Sequence, residues 1–315
     1  VTAEPFAHQP VLLAEVLTAL RPQAGGLYLD ATIGGAGHAA AILQAAPGAR
    51  LIGLDQDEIA LAAARQKLKP DHKRVYLHYS NFARMAQALD ELGFNGEVLD
   101  GILLDIGVSS PQVDEAARGF SYMQDGPLDM RMDRQAGLSA ADIVNKWRET
   151  ELADILYEYG EEKWAKRIAA FIVAQRAVSP IETTLQLVSV IKKAVPKGAR
   201  EKDQHPAKRS FQALRIAVND ELTALASGLD AAKGLLKNGG RLAVISFHSL
   251  EDRIIKEKFR YWASACVCPK ELPVCVCGHK AEIKIINRRP IEAQAAEIAN
   301  NPRSRSAKLR VAEKI

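Results

Sequence analysis

The chain has 315 residues, 48% of them hydrophobic and 25% charged, an ordinary balance for a globular protein and enough length for one large α/β domain with an insertion, or for two domains. No uncharged apolar run reaches the roughly eighteen residues that a membrane-spanning helix needs, and residues 1–10 carry neither a basic flank nor an apolar stretch, so no secretory signal is expected and a cytoplasmic location is the default. A net charge of +4 is mildly basic and falls short of a nucleic-acid-binding tail.

In chain order, residues 10–20 read as a short amphipathic helix with Val11, Leu12, Val16 and Leu20 near one face. Gly25 and Gly26 break it, and residues 27–30 form an apolar strand ending in Asp30. A glycine-rich turn over 31–38 opens into a helix over 39–46, stopped near Pro47 and Gly48. Strand 50–55 again ends in an acid, Asp55, and helix 58–68, strand 74–78, helix 82–92 and strand 98–105 follow. Such alternation predicts βαβ units and a parallel sheet. The pattern then changes. Ser139 to Asp142 is spaced as a capping box, and helical periodicity dominates over 149–159, 161–177 and 184–193, punctuated by Ser179-Pro180 and Val195-Pro196. A long helix is expected from about Phe211 to Leu236, then a turn at Gly239-Gly240 and a buried strand over 241–247 that ends in His248, Ser249, Glu251 and Asp252. Little structure is expected beyond Ala263. The predicted architecture is α/β, a sheet domain over 1–137 and 212–315 interrupted by an all-helical domain over 138–211.

Two strand ends carry the chemistry. Gly34, Gly35 and Gly37 lie between a strand and a helix, where glycine lets the backbone approach a ligand and the helix N-terminus adds donors. Asp55 ends the next strand, where an acid can accept hydrogen bonds from both hydroxyls of a ribose; a strand-end aspartate can equally cap the following helix. Gly35, Gly37 and Ala40 formally match the dinucleotide fingerprint, so a nicotinamide cofactor and an oxidoreductase are one reading. S-adenosylmethionine fits better. Asp30 suits a cationic methionine moiety, and Asp105 ends the fourth strand where a transferred group would lie, whereas hydride transfer needs no acid there. For methyl transfer to a base amine, Asp105, the hydroxyls of Ser109 and Ser110 and the carbonyls around Pro111 can accept hydrogen bonds as positive charge develops on the nitrogen. The plain alternative is a strand-to-loop turn with helix-capping serines.

Charge clusters between Lys192 and Arg215, where Lys192, Lys193, Lys197, Arg200, Lys202, Lys208, Arg209 and Arg215 outweigh Glu201 and Asp203. The cluster can meet phosphates or simply be a solvated face. A second basic group, Arg303, Arg305, Lys308, Arg310 and Lys314, lies near the C-terminus. All four cysteines, Cys266, Cys268, Cys275 and Cys277, fall in one segment with His279 just beyond. Paired thiols flanking a loop can hold zinc, though C-x-C is tighter than the usual knuckle, and reduced structural thiols or a redox-labile loop are the other readings.

Long ordered segments carry a resemblance. They include His8-Gln-Pro-Val-Leu-Leu, Gly34 to His38, Leu103-Leu-Asp-Ile-Gly-Val-Ser-Ser-Pro-Gln112, Arg118-Gly-Phe-Ser-Tyr, Asp125-Gly-Pro-Leu-Asp-Met-Arg-Met-Asp133, Tyr159-Gly-Glu-Glu, His205-Pro-Ala, Arg209-Ser-Phe-Gln-Ala-Leu-Arg215, Ile245-Ser-Phe-His-Ser-Leu-Glu-Asp-Arg253 and Asn301-Pro-Arg-Ser-Arg-Ser306. In these the chain resembles, nearly end to end, the bacterial MraW family of small-subunit ribosomal RNA methyltransferases. The resemblance implies a class I (Rossmann-like) S-adenosylmethionine-dependent methyltransferase sheet with a helical insertion, acting on N4 of a cytidine in the decoding centre of 16S rRNA. It implies Ala36, Gly37, His38, Asp55, Phe82, Asp105 and Gln112 as cofactor contacts. On the RNA side, Asp129, Arg131, Asp133, His248 and Ser249 are candidates for the cytidine, and Lys208 and Arg209 for phosphates. The family often has glycine where Ala36 stands; binding is expected to survive the extra methyl if φ there is negative. The cysteine pairs occur in only some members. A non-catalytic RNA-binding assembly factor is a third reading, and a homodimer is left open.

Overall fold

The computed structural model describes residues 10–200, 204–269, 272 and 274–315, without the side chain of Ser110. His8 and Gln9 of the first matching segment, and Glu201, Lys202 and Asp203 of the basic stretch, lie outside the described residues. The chain divides into two units, one made of Val1–Gly107 and Leu222–Ile315 and the other of Val108–Glu221.

The first unit is built on one sheet. Helix α1 (Leu13–Leu20) precedes β1 (Leu27–Asp30), α2 (Gly37–Ala45), β2 (Arg50–Asp55), α3 (Glu58–Lys67), β3 (Val75–Tyr79), α4 (Met85–Glu91) and β4 (Leu99–Asp105). These strands run parallel, with β1 between β2 and β4. Side chains alternate across each strand, so each β residue serves one of two cores. Leu27, Leu29, Ile52, Leu54, Ile102 and Leu104 face one side, against Met85 and Leu89 of α4. Tyr28, Leu51 and Leu103 face the other, against Val16 and Leu20 of α1, Ile42 and Leu43 of α2, and Leu61 of α3. Burial on both faces explains why these strands read as unbroken apolar runs. Each fully buried Leu or Ile contributes about 1.5–3 kcal/mol relative to exposure.

The second unit begins with the short helix α5 (Ser110–Asp114) and holds α6 (Ala140–Lys146), α7 (Glu149–Glu158), α8 (Ala165–Arg176), α9 (Thr184–Ala194) and α10 (Lys208–Asn219). The capping box expected at Ser139 is present: Asp142 N–H donates to Ser139 Oγ at 3.2 Å, and Ser139 N–H to Asp142 Oδ2 at 3.0 Å. The helices share one core, with Ile143, Leu156, Ile168, Ile191 and Leu214 at its centre. Phe120, Leu128, Met130 and Met132, which come before the first long helix, join that core. The compact unit is thus wider at both ends than the expected 138–211.

The long helix expected from Phe211 to Leu236 is two helices. Asp220 adopts φ +46° and ends α10, and α11 (Glu221–Leu235) starts at the next residue. A run with unbroken helical composition conceals this break, which falls where the chain leaves the second unit. The strand β5 (Leu236–Ser246) begins before the expected turn; Gly239, at φ +80°, shifts the register, and regular parallel pairing with β4 resumes at Arg241. Helix α12 (Ser249–Ala263) follows.

The segment beyond Ala263 is more structured than expected. It contributes β6 (Ile283–Ile285), β7 (Ile291–Glu292), α13 (Ala295–Asn300) and β8 (Lys308–Lys314). Strand β8 pairs antiparallel with β5, and β6 and β7 pair with β8, giving the order β3-β2-β1-β4-β5-β8-β6. The charged composition of 308–314 hides a buried strand because its arginine is neutralised inside. Arg310 donates to both Asp252 oxygens at 2.6 and 3.1 Å. Arg241 similarly binds Glu313 of β8 at 2.9 Å and the Ala19 carbonyl of α1 at 2.8 Å.

Candidate active site

Strand order reverses between β1 and β4, since the chain builds outward through β2 and β3 on one side and through β5 on the other. In an open α/β sheet the carboxyl edge at that reversal is where ligands bind. Asp30 ends β1, Asp105 ends β4, and Asp55 ends the neighbouring β2.

The glycine turn between β1 and α2 is held by these acids. Asp55 accepts from Gly34 N–H at 2.9 Å through one oxygen and from Asp57 N–H at 2.9 Å through the other. Cap and ligand roles for Asp55 are therefore compatible, because it fixes the turn whose donors face the edge. Helix α3 is capped by Asp57 instead, which accepts from Ile59 N–H at 3.0 Å. Gly37 has no room for a side chain, as a Cβ there would lie 2.3 Å from Pro10 Cγ. Ala36 is fully buried at φ +57°. The condition of a negative φ at that position is not met: this alanine occupies the left-handed region at the entry to α2, which costs an L-residue about 1–2 kcal/mol. Its methyl is tolerated sterically, within a packed core.

His38 is oriented by the chain ahead of α1. Its Nε2 lies 2.9 Å from the Val11 carbonyl oxygen, so that nitrogen carries the proton. Its Nδ1 faces Asp105 Oδ2 at 3.7 Å. The Asp105 backbone N–H donates to Thr32 Oγ1 at 2.7 Å, and the side-chain Oδ1 of Asp105 is buried with no hydrogen-bond partner among the described residues. A buried lone acceptor is costly unless a ligand completes it.

Electrostatics point the same way. Burial pushes the Asp105 carboxyl up to about 8, with Asp30 and Glu251 adding repulsion. Burial also raises Asp30 to about 7, with the Thr32 N–H pulling it down and the Asp55 charge pushing it further up. Asp55 rises to about 6 from burial, restrained by the Asp57 and Gly34 N–H groups. Asp105 nevertheless keeps 20% of its side-chain surface open. Three acids that ionise reluctantly beside one another form a site that a cation would stabilise.

Phe82 follows β3 and packs on α11, where Gly228 leaves room for its ring; a Cβ at 228 would lie 2.6 Å from it. Asn81 shapes this turn, accepting from Ala83 N–H at 2.8 Å and donating to Gln56, the neighbour of Asp55, at 2.7 Å. At the end of β5, Glu251 is buried and accepts from Phe247 and His248 N–H at 2.8 and 3.2 Å. His248 Nδ1 accepts from Glu251 N–H at 3.4 Å, and its Nε2 lies 3.0 Å from Glu251 Oε1. His248 is thereby a helix cap beside Glu251, its Nε2 buried and making no hydrogen bond among the described residues, and Ser249 beside it is exposed. Thr32 and Glu251 were not foreseen as site residues. For Glu251 the available signal was a capping-box spacing from His248.

The remaining predicted residues belong to the second unit. Ser109 donates its N–H to Gln112 Oε1 at 3.0 Å, so Gln112, itself buried, closes the first turn of α5 with Pro111 inside it. Asp129 and Arg131 are joined bidentately at 2.7 and 2.9 Å, and Arg131 also donates to the Ala136 carbonyl at 2.8 Å. Asp133 accepts from Gln135 N–H at 2.7 Å. Lys208 is exposed and Arg209 half-buried at the start of α10. Not every cation of the basic stretch faces solvent: Arg215 is tied to Glu221 at 2.8 and 2.9 Å, and Arg200 donates to the Val195 and Lys192 carbonyls at the end of α9. Lys192, Lys193 and Lys197 line a groove there with Leu185, Val188 and Pro196. No helix among the described residues is long and apolar enough to cross a membrane.

Known proteins give the family. A sequence model described as the MraW methylase family matches residues 5–315. A ribosomal RNA small subunit methyltransferase H from Geobacter sp. (strain M21) is 60% identical over 313 residues, covering 99% of this chain and 100% of that protein. Proteins of the same description from Citrifermentans bemidjiense and Heliobacterium mobile are 60% and 58% identical, over 99% and 98% of this chain and 100% and 99% of theirs. The parallel-dominated sheet closed by the antiparallel β8 is a mixed α/β architecture, as the resemblance implied. With a match of this extent the oxidoreductase reading falls away, and the chain belongs to the MraW methylase family.

Proposed function

We propose that this chain transfers a methyl group from S-adenosylmethionine to the exocyclic N4 amine of a cytidine in the decoding centre of 16S rRNA, acting in the cytoplasm on the small ribosomal subunit. The observation that carries the reading is the Asp105 carboxyl at the sheet's reversal point, partly open and with one oxygen unpartnered among the described residues. When bound, the cofactor supplies an electrophilic methyl group on a sulfonium centre. The residues present fit such a group: Asp55 offers carboxylate oxygens to a ribose beside the Gly34 turn it holds, Phe82 offers a ring near the end of β3, and Asp30 and Asp105 complement positive charge. Ala36, Gly37 and His38 present the start of α2, and Gln112 contributes from the turn after β4.

A cytidine amine is a weak nucleophile because its lone pair is delocalised into the ring. Asp105 accepts a hydrogen bond from the amine as charge develops, its ionised form favoured by the cationic cofactor, and Ser109, Ser110 and the carbonyls around Pro111 are further candidate acceptors. Asp129 and Arg131, as a preformed pair, and His248 and Ser249 at the end of β5 are the candidates for base contacts. Lys208 and Arg209, with the Lys192–Lys193–Lys197 groove, are those for phosphates, in a helical unit that serves rRNA recognition. The test incubates the purified chain with methyl-labelled S-adenosylmethionine and small subunits from cells lacking this activity, then digests the RNA to nucleosides. Label in N4-methylcytidine is expected, with Asp55→Ala weakening cofactor binding and Asp105→Ala abolishing turnover. Label in another nucleoside, or normal turnover by both variants, refutes the assignment.

A further inference from the structure

We propose that Cys266, Cys268, Cys275 and Cys277 form a structural zinc site that folds the loop between α12 and β6. The Sγ of Cys266 lies 3.4 Å from that of Cys275 and 3.8 Å from that of Cys277, and Cys275 and Cys277 are 3.5 Å apart. All four sulfurs lie within 4.8 Å of one another, and all four cysteines are unbridged. A tetrahedron of thiolates around zinc, with Zn–S of about 2.3 Å, has edges of about 3.8 Å. The sulfurs are thus spaced for one shared ion. They are too close to surround an iron–sulfur cluster, whose several atoms hold its cysteines apart.

The loop's backbone supports the same assignment. Cys268 N–H points to Cys266 Sγ at 3.4 Å, Val276 N–H to Cys268 Sγ at 3.4 Å, and Val267 and His279 N–H to Cys277 Sγ, both at 3.5 Å. Donors aimed at sulfur stabilise thiolate ligands and fix their direction. The C-x-C spacing, tight for a zinc knuckle, is met by turns that fold each N–H back onto a sulfur. His279 has other work, since its Nε2 lies 3.0 Å from the Tyr261 carbonyl oxygen. Four thiolates close the coordination sphere, which marks a structural ion with no open position for substrate.

Among the described residues of the loop, none is buried. Val267, Val274 and Val276 are exposed, the last two at 70% and 76%. A short excursion without a core needs a covalent or metal staple. Its ends are already joined, because Glu282 N–H donates to the Trp262 carbonyl at 2.8 Å. An ion at the four sulfurs would therefore close a small lobe directly off α12 and β6, next to the edge of the sheet. Soft tetrahedral sulfur ligation selects zinc over magnesium or calcium.

The full-length chain should be purified anaerobically from zinc-supplemented medium, and its metal content measured by mass spectrometry. About one zinc per chain is expected, released by a mercurial in step with thiol modification. Cobalt exchange should give the intense thiolate charge-transfer band and the visible d–d bands of a tetrahedral site. The Cys275→Ser/Cys277→Ser double variant should lose at least tenfold in zinc content while keeping the far-ultraviolet dichroism of the wild type. Hydrogen exchange over 264–282 should quicken both in that variant and on chelation of the wild type, so a folding failure of the variant alone cannot mimic the result. Four freely reactive thiols with no zinc, disulfides in the anaerobic protein, or an octahedral cobalt spectrum would each overturn the proposal. The outcome is independent of the methyl-transfer reading, since no activity is measured.

Discussion

The protonation of Asp105 makes a measurable prediction about the unliganded protein. Its carboxyl rises from 3.8 to about 8 on folding. A raised pKa stabilises the protonated folded state, so its contribution is fully present below about pH 4 and is lost as pH climbs through 8. At about 1.4 kcal/mol per pKa unit, ionising this group between pH 6 and pH 8 costs up to roughly 2 kcal/mol. The 20% opening of the side chain to solvent screens part of this, leaving about 1 kcal/mol. For a chain of 315 residues, with an unfolding entropy of about 2.1 cal/mol/K per residue, that corresponds to a Tm change of about 1.5 °C. Asp105→Asn removes the titration and keeps the shape. Calorimetric melting at pH 6, 7 and 8 without ligand should show the wild type losing about 1.5 °C relative to the variant across that range. S-adenosylmethionine, a cation, should flatten the wild-type slope more than its neutral demethylated product. Parallel profiles for wild type and Asp105→Asn would refute the electrostatic reading of the site.

Three further substitutions test its scaffolding. Ala36→Gly relieves a left-handed alanine worth about 1–2 kcal/mol but gives back about 0.4–1 kcal/mol of unfolded-chain entropy. Urea denaturation should therefore show a neutral or slightly stabilised protein, where glycine for alanine inside a helix would destabilise. Gly37→Ala forces a methyl against Pro10 Cγ, 2.3 Å away, and should displace the Val11 carbonyl from His38; calorimetric titration should show cofactor affinity falling at least tenfold, and unchanged affinity would mean the segment ahead of α1 yields freely. Asp252→Ala strands Arg310, only 7% exposed, and should cost about 3 kcal/mol in denaturant unfolding; a loss below about 1 kcal/mol would show that water reaches the guanidinium.

Much of this protein is legible from local pattern. Apolar runs of strand length ending in Asp30, Asp55 and Asp105 specify strands buried on both faces and place acids at one edge, because strand period and burial are local properties. The glycine turn, the Ser139 cap and the clustering of the cysteines are local for the same reason. What the tertiary structure alone decided depends on partners distant in sequence. Lys308 to Lys314 becomes an interior strand because Asp252 of α12 and Arg241 of β5 meet its charges. The break at Asp220 arises where one unit ends, although nothing in its neighbours' helix propensity requires it. Phe120 to Met132, polar and irregular in sequence, finds a core only against helices folded much later in the chain. Whether Arg131 and Arg215 are available cations or spent ones was likewise settled by Asp129 and Glu221, since a charge's role depends on what lies within a few ångströms of it, and that distance is a property of the folded chain.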